Sequence, residues 1–205
     1  SIGGVPLQII SLDHRFFGGT IGTISGEKMA LAFENATRKK LPILALLSTG
    51  QSENRGLMQL MQIPKILIAL SNFKEKGLPY ICIMANCVTG QSYSSLGSLA
   101  DIVYGEQGAM IGLAPERTDD STSEPYGNSF NQGSADVVLS HGMIDKVIDR
   151  RKMRDAVTIT LHLLCNQKAS ADKQDDALLL AIQEWKKTES PQIEELWPSS
   201  WQGVP

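Results

Sequence analysis

One short repeat constrains this chain more than any other feature. The tetrapeptide Thr-Gly-Gln-Ser stands at 49–52 and again at 89–92, forty residues later. Its flanks repeat as well. Lys39-Lys40-Leu41-Pro42 and the run ILALLS precede the first copy; Lys76-Gly77-Leu78-Pro79 and YICIMANCV precede the second. A period of that size points to stacked supersecondary units. Each unit reads as a helix ending in lysine, a Leu-Pro break, a strand, the turn, and a new helix. Two strand-to-helix turns should therefore lie side by side. Helix N-termini present free N–H groups that stabilise anions, so two converging turns suit one oxyanion. Turn chemistry alone explains a four-residue match, since Gly permits positive φ and Thr and Ser cap helices. The matched flanks favour the larger unit.

The 205 residues are read as one domain with a tail: a core over 1–165, then a C-terminal helix and an extended arm over 166–205. Hydrophobic content of 42% and charged content of 20% fit a globular chain. A net charge of −3 recommends no nucleic acid as partner. No apolar run approaches the roughly 20 residues that span a bilayer. The opening SIGGVPLQII lacks a basic n-region and is not read as a signal peptide. Three cysteines without a CxxC pair argue against a disulfide scaffold and a zinc ribbon, and imply a reducing compartment. Cys82 is expected in the core.

Along the chain, Val5 to Leu12 reads as a strand with Val5, Leu7 and Ile9 on one face. Gly18, Gly19 and Gly22 form a tight loop whose spacing is wrong for a dinucleotide fingerprint. Ser25 is expected to cap the next helix, whose buried stripe is Met29, Ala32, Phe33 and Ala36. A long amphipathic run follows from about Arg55 to Lys76, with Leu57, Leu60, Met61, Leu67 and Leu70 as its apolar face and Pro64 as a kink. Gly77 suits its C′ position. Small residues over Ser92–Ala100 allow close packing. Short strands are expected over 101–104, 109–113 and 143–148, and helices over 135–139 and from Arg150 to about Cys165. Residues 114–132 read as a polar, mobile surface segment or lid. Residues 170–187 read as another helix, followed by an arm carrying Trp197 and Trp201. His14, His141 and His162 lie far apart in sequence, no G-x-S-x-G elbow occurs, and each His is read as structural or superficial.

An ordered set of segments resembles the β subunit of the acetyl-CoA carboxylase carboxyltransferase, a crotonase-like family. The segments are FFGGTIGTISGEKM, LMQLMQIPK, KGLPYI, LGSLAD, AMIGLAP and HGMIDKVIDRRKMR, and the resemblance runs from about Ile9 to Leu164. It implies an α/β ClpP/crotonase spiral of ββα repeats with flanking helices. It also implies carboxyl transfer from carboxybiotin to an acetyl thioester, through an enolate held by backbone N–H groups, forming malonyl-CoA for fatty acid synthesis. The oxyanion hole would then come from Gly50 and Gln91, with Thr49 and Gly90 shaping the turns. Gly18, Gly19, Gly112, Leu113 and Arg117 would line the substrate site, and Arg117 or Arg150 would meet coenzyme A phosphates. The implied partners are an α-like carboxyltransferase subunit and a biotin carrier protein in a hetero-oligomer, with no metal, in cytoplasm or plastid stroma. No Met-Lys-Met pattern occurs, so biotin belongs on another protein.

The family's Gly-Gly pairs are here Thr49-Gly50 and Gly90-Gln91. The family's Gly before Pro115 and its N-terminal zinc ribbon do not occur in these residues. Two alternatives therefore stand beside the first reading. One is a non-catalytic structural or regulatory paralogue within the carboxylase complex. The other is a biotin-independent malonyl-thioester decarboxylase or hydrolase.

Overall fold

The computed structural model describes residues 1–49, 57–112 and 133–165. Residues 1–161 form one compact unit and 162–205 a second, of which only 162–165 are described. The expected lid, the last helix and the Trp arm lie outside the described residues, as do Gly50, Leu113 and Arg117.

Five parallel strands form the main path of the sheet: β1 (Gln8–Leu12), β2 (Ile43–Thr49), β3 (Tyr80–Thr89), β4 (Ile102–Glu106) and β7 (Lys146–Ile148), in the order β1-β2-β3-β4-β7. Two short strands extend it: β5 (Met110–Gly112) pairs parallel with the end of β3, and β6 (Gly133–Ser134) pairs antiparallel with β5. The Leu-Pro breaks set the register. Gln8 N–H bonds to Pro42 O and Ile43 N–H to Pro79 O, so β1, β2 and β3 start in step.

β3 is long because it changes partner. Between the pairs Leu47↔Met84 and Thr49↔Val88, β2 advances two residues and β3 four. That irregularity bends β3 away from β4, which it leaves at Met84, and onto β5, which it meets at Cys87. Cys82 is fully buried in the straight part, and burial pushes its thiol pKa up.

α1 (Thr23–Lys39) and α3 (Gln62–Lys74) cover the sheet. Their apolar spacing buries Met29, Ala30, Phe33 and Ala36 from α1 against Ile66, Ala69, Leu70 and Phe73 from α3. The rings of Phe73 and Tyr80 stand edge-on to Phe33 at 5.8 and 5.5 Å. Gly26 lets the helices approach, since a Cβ there would meet Gln62 Oε1 at 2.6 Å. α1 closes on Lys40 in the left-handed region; the C-cap of α3 is Glu75, so Gly77 (φ 64) turns the chain one residue beyond its expected C′ position.

Several expectations need correction. β1 buries Ile10 and Leu12, while Ile9 is exposed; the strand begins at Gln8, and the stretch before it turns on Gly3 and Gly4. α1 starts at Thr23 with Gly22 as N-cap, so Ser25 lies inside its first turn. The run over 57–74 is two helices, α2 (Leu57–Leu60) and α3, broken at Met61. Pro64 sits in the first turn of α3, where its missing N–H costs nothing. Leu57, Leu60 and Met61, expected in the core, are exposed: at about 100° per residue they fall on the side opposite the buried stripe of Gln62, Ile66, Ala69, Leu70 and Phe73. The strand expected over 143–148 spans Lys146–Ile148 only.

After β3 comes a π-helix over Ser92–Gly97, packed so closely that a Cβ on Gly97 would meet Met84 Cε at 2.3 Å. α4 (Ala135–Ser140) is capped by Ser134, whose hydroxyl accepts from Val137 N–H. α5 (Met153–Leu164) follows a 3₁₀ turn over Arg150–Lys152. Among the described residues no helix is long and apolar enough to cross a membrane.

Candidate functional site

Three parallel strands end together at one edge of the sheet. Thr49 closes β2 opposite Val88, and Thr89 closes β3 opposite Gly112 of β5. The turn after β3 is built on Gly90, whose φ of 61° lies in the left-handed region. Gly90 N–H is taken by Gly112 O at 3.0 Å. Gln91 then enters the helical region at φ −62°, ψ −35°, and Gly90 O accepts from Ser94 N–H at 3.1 Å. The amides of Gln91 and Ser92 therefore stand in a first helical turn, where the helix supplies no acceptor for them. The helix field there favours negative charge. The buried hydroxyl of Ser95 bonds back to Gln91 O and ties the turn down.

The Gly18–Gly19 loop reaches the same edge. Phe17–Gly19 is a 3₁₀ turn with φ of 66° at Gly18 and 70° at Gly19. A Cβ on Gly19 would lie 2.5 Å from Ser48 O and 2.8 Å from Thr49 Cα. Only glycine allows that approach. A row of residues thus runs along the edge: Gly19, Thr49, Gly90 and Gly112, with Gln91 beyond Gly90. Two buried hydroxyls lie in the row, Thr20 Oγ1 and Thr49 Oγ1, with no hydrogen-bond partner among the described residues.

A groove of about 400 Å³ opens from Gly19 along the outer edge of β1. Ile9, Ser11, Asp13 and Phe16 line one wall, and Ser25 and Lys28 of α1 the other. Among the described residues β1 pairs with β2 alone, so one row of its backbone N–H and C=O groups is left unpaired by the described sheet. Phe16 and Phe17 meet edge-to-face at 4.8 Å beside the groove, both exposed.

Two features of this edge were not readable from sequence. The first is the pair His14 and Ser48, joined Nδ1 to Oγ at 2.9 Å across 34 residues. The second is the pinning of the neighbouring carboxylate: Arg15 donates to Asp13 through its side chain, at 2.6 Å for Nη2, and its backbone N–H, at 3.0 Å. Those bonds lower the Asp13 pKa to about 2. Arg150, expected to meet phosphates, has an ion-pair partner and keeps an exposed side chain. Its guanidinium is engaged by the buried Glu106, with Nη2 2.9 Å from Oε2, which holds the end of β4 to the turn after β7. Among the described residues no group of three or more metal-binding side chains occurs.

Residues 1–201 match the carboxyl transferase domain family. The acetyl-coenzyme A carboxylase carboxyl transferase subunit beta of Rhizobium meliloti (strain 1021) is 34% identical over 180 residues, covering 87% of this chain and 59% of that protein. The fused subunits beta/alpha of Natranaerobius thermophilus are 32% identical over 199 residues, or 95% of this chain and 33% of that one. The chain therefore spans somewhat over half the length of the separate β subunits it matches. Among solved structures, the transcarboxylase 12S hexamer core superposes with a TM-score of 0.68 at 21% identity, over 84% of this chain and 36% of that one. The Pseudomonas malonate decarboxylase MdcD-MdcE hetero-dimer gives 0.65 at 23% identity, over 78% and 72%. These structures establish the crotonase-like α/β fold. With the family model matched over nearly the whole chain, and relatives a third identical across most of it, the protein belongs to the carboxyl transferase domain family, close to its acetyl-CoA carboxylase β subunits.

Proposed function

We propose that this chain is a β-type carboxyltransferase subunit. It would hold an acetyl thioester while a carboxyl group moves between carboxybiotin and the thioester α-carbon, forming malonyl-CoA for fatty acid synthesis. The observation that carries the proposal is the turn after β3. Gly90 spends its own N–H on Gly112 O, and the amides of Gln91 and Ser92 that follow it open the π-helix without an acceptor in the helix, beside the end of β2. Deprotonation at the α-carbon puts negative charge on the thioester oxygen. Fixed N–H donors aimed at that oxygen stabilise the charge at no reorganisation cost. Gly50 would supply the matching donor from the other turn. The groove beside Gly19 suits the thioester's long polar arm, with Lys28 and Ser25 as donors. Carboxybiotin, on a separate carrier protein, supplies the carboxyl group.

The conformation of Gln91 favours this reading over a non-catalytic paralogue. The family pattern has a second glycine here. At φ −62°, ψ −35° any L-residue is unstrained, so a glutamine keeps the backbone donor in place. The positive φ is confined to Gly90, which remains glycine.

The proposal implies an α-like partner subunit and a biotinylated carrier in one hetero-oligomer. Affinity isolation of the tagged chain from its source, followed by intact-complex mass spectrometry, tests this. The expected result is co-isolation of both. Recovery of the chain alone or as a homo-oligomer would contradict the assignment.

A further inference from the structure

The enolate reading leaves one cluster at the sheet edge without a role. His14 and Ser48 meet at 2.9 Å, on the strand end that carries Thr49. The contact is fixed from both sides. Ser48 is held in β2, and the loop from β1 is pressed onto Ser48 and Thr49 at Gly19, where no Cβ fits. His14 itself is half exposed. The imidazole is therefore oriented at Nδ1, and about half of the side chain is exposed, beside the groove residues Asp13 and Phe16. The Asp13 carboxylate lies 3.8 Å from that same Nδ1 and is kept ionised by Arg15. A carboxylate on that side favours the tautomer with its proton on Nδ1, which donates to Ser48 Oγ and leaves the Nε2 lone pair as a base.

We infer that His14 is the acid–base residue for the thioester α-carbon at this edge, with Ser48 as its positioning residue. This rests on the enolate reading above. In the step, Nε2 takes a proton from the α-carbon. The C–H bond breaks and its electron pair moves onto the thioester oxygen, giving the enolate that the turn amides hold. In reverse, the imidazolium returns a proton to the α-carbon and the thioester carbonyl re-forms. Such a site exchanges α-hydrogens with solvent without any carboxyl donor. By the same reverse step it also protonates an enolate left by loss of carbon dioxide from a malonyl thioester.

The test is deuterium uptake into acetyl-CoA, followed by mass spectrometry, with the assembled complex in heavy water and no carboxybiotin. The wild-type complex is expected to exchange the acetyl hydrogens. His14→Ala should lower the rate by about 100-fold or more, and added imidazole should restore part of it. Ser48→Ala should lower the turnover of exchange with KM for acetyl-CoA unchanged, and Ser48→Thr should recover it. Acetyl-CoA binding to each variant, by calorimetry, checks that the site remains formed. A wild-type complex that transfers carboxyl groups but exchanges no deuterium overturns the role of His14 and leaves the enolate reading standing. So does a His14→Ala complex that exchanges at the wild-type rate, or one that binds acetyl-CoA normally but is not rescued by imidazole. A complex that neither transfers nor exchanges removes the enolate reading, and this inference with it.

Discussion

At the scale of single residues, backbone conformation decides more than side-chain chemistry does. Gly19 shows why. Its φ of 70° strains any side chain, and a Cβ there would lie 2.5 Å from the Ser48 carbonyl oxygen, which excludes one. Gly19→Ala is expected to destabilise the fold by about 1–3 kcal/mol, as left-handed strain and overpacking together would. Urea denaturation of the purified protein checks this through its midpoint. Asp13 makes a different point. Hydrogen bonds from Arg15 depress its pKa to about 2, below the usual value near 3.9. A depressed carboxylate contributes stability that is present above the unfolded pKa and lost as pH falls through the folded one. The Asp13–Arg15 pair should therefore hold through mild acid and open only near pH 2. Carboxyl-carbon NMR should find the Asp13 midpoint there, and Arg15→Ala should move it up toward the ordinary value. Because the pair is exposed, its effect is local order around His14 rather than global stability.

At the scale of elements, the site depends on how firmly α1 and α3 hold β2 and β3. Phe33 has no exposed surface and is the ring against which both Phe73 and Tyr80 stack. Phe33→Ala should cost about 3–5 kcal/mol, measured by chemical denaturation, and a smaller loss would mean the helices re-close over the gap. The two TGQS copies proved to be legible at this level and only in part. Their flanks correctly announce two parallel strands in register, because the Leu-Pro pairs carry the carbonyls that start them. They do not announce the extra residues in β3, since a bulge is set by which neighbours the strand must reach. Nor could periodicity phase α2 and α3. Reading 55–76 as one helix with Leu57, Leu60 and Met61 inward chose the wrong face: the buried stripe is Ile66, Ala69, Leu70 and Phe73, and those three lie opposite it.

At the scale of the whole molecule, the chain keeps a large apolar surface. Ile24 on α1, Leu57 and Leu60 on α2, Met61 beyond it, and Ile68 on α3 are each more than half exposed. A subunit that works beside a partner would need exposed apolar side chains of this kind, which become an interaction face where they adjoin. Fold and family were legible from sequence because many short segments occur in a fixed order, each tied to a strand end or a turn. The His14–Ser48 pair was not. A contact across 34 residues leaves no local pattern, and each residue alone reads as loop or surface. The most direct measurement is carboxyl transfer from malonyl-CoA to biotin by the assembly isolated with this chain, comparing wild type with Gly90→Val. Biotin-dependent formation of acetyl-CoA is expected, with kcat falling about 10²–10³-fold in the variant at unchanged subunit composition. An assembly with both partners present that forms no acetyl-CoA, or a Gly90→Val assembly that turns over like wild type, would contradict the account.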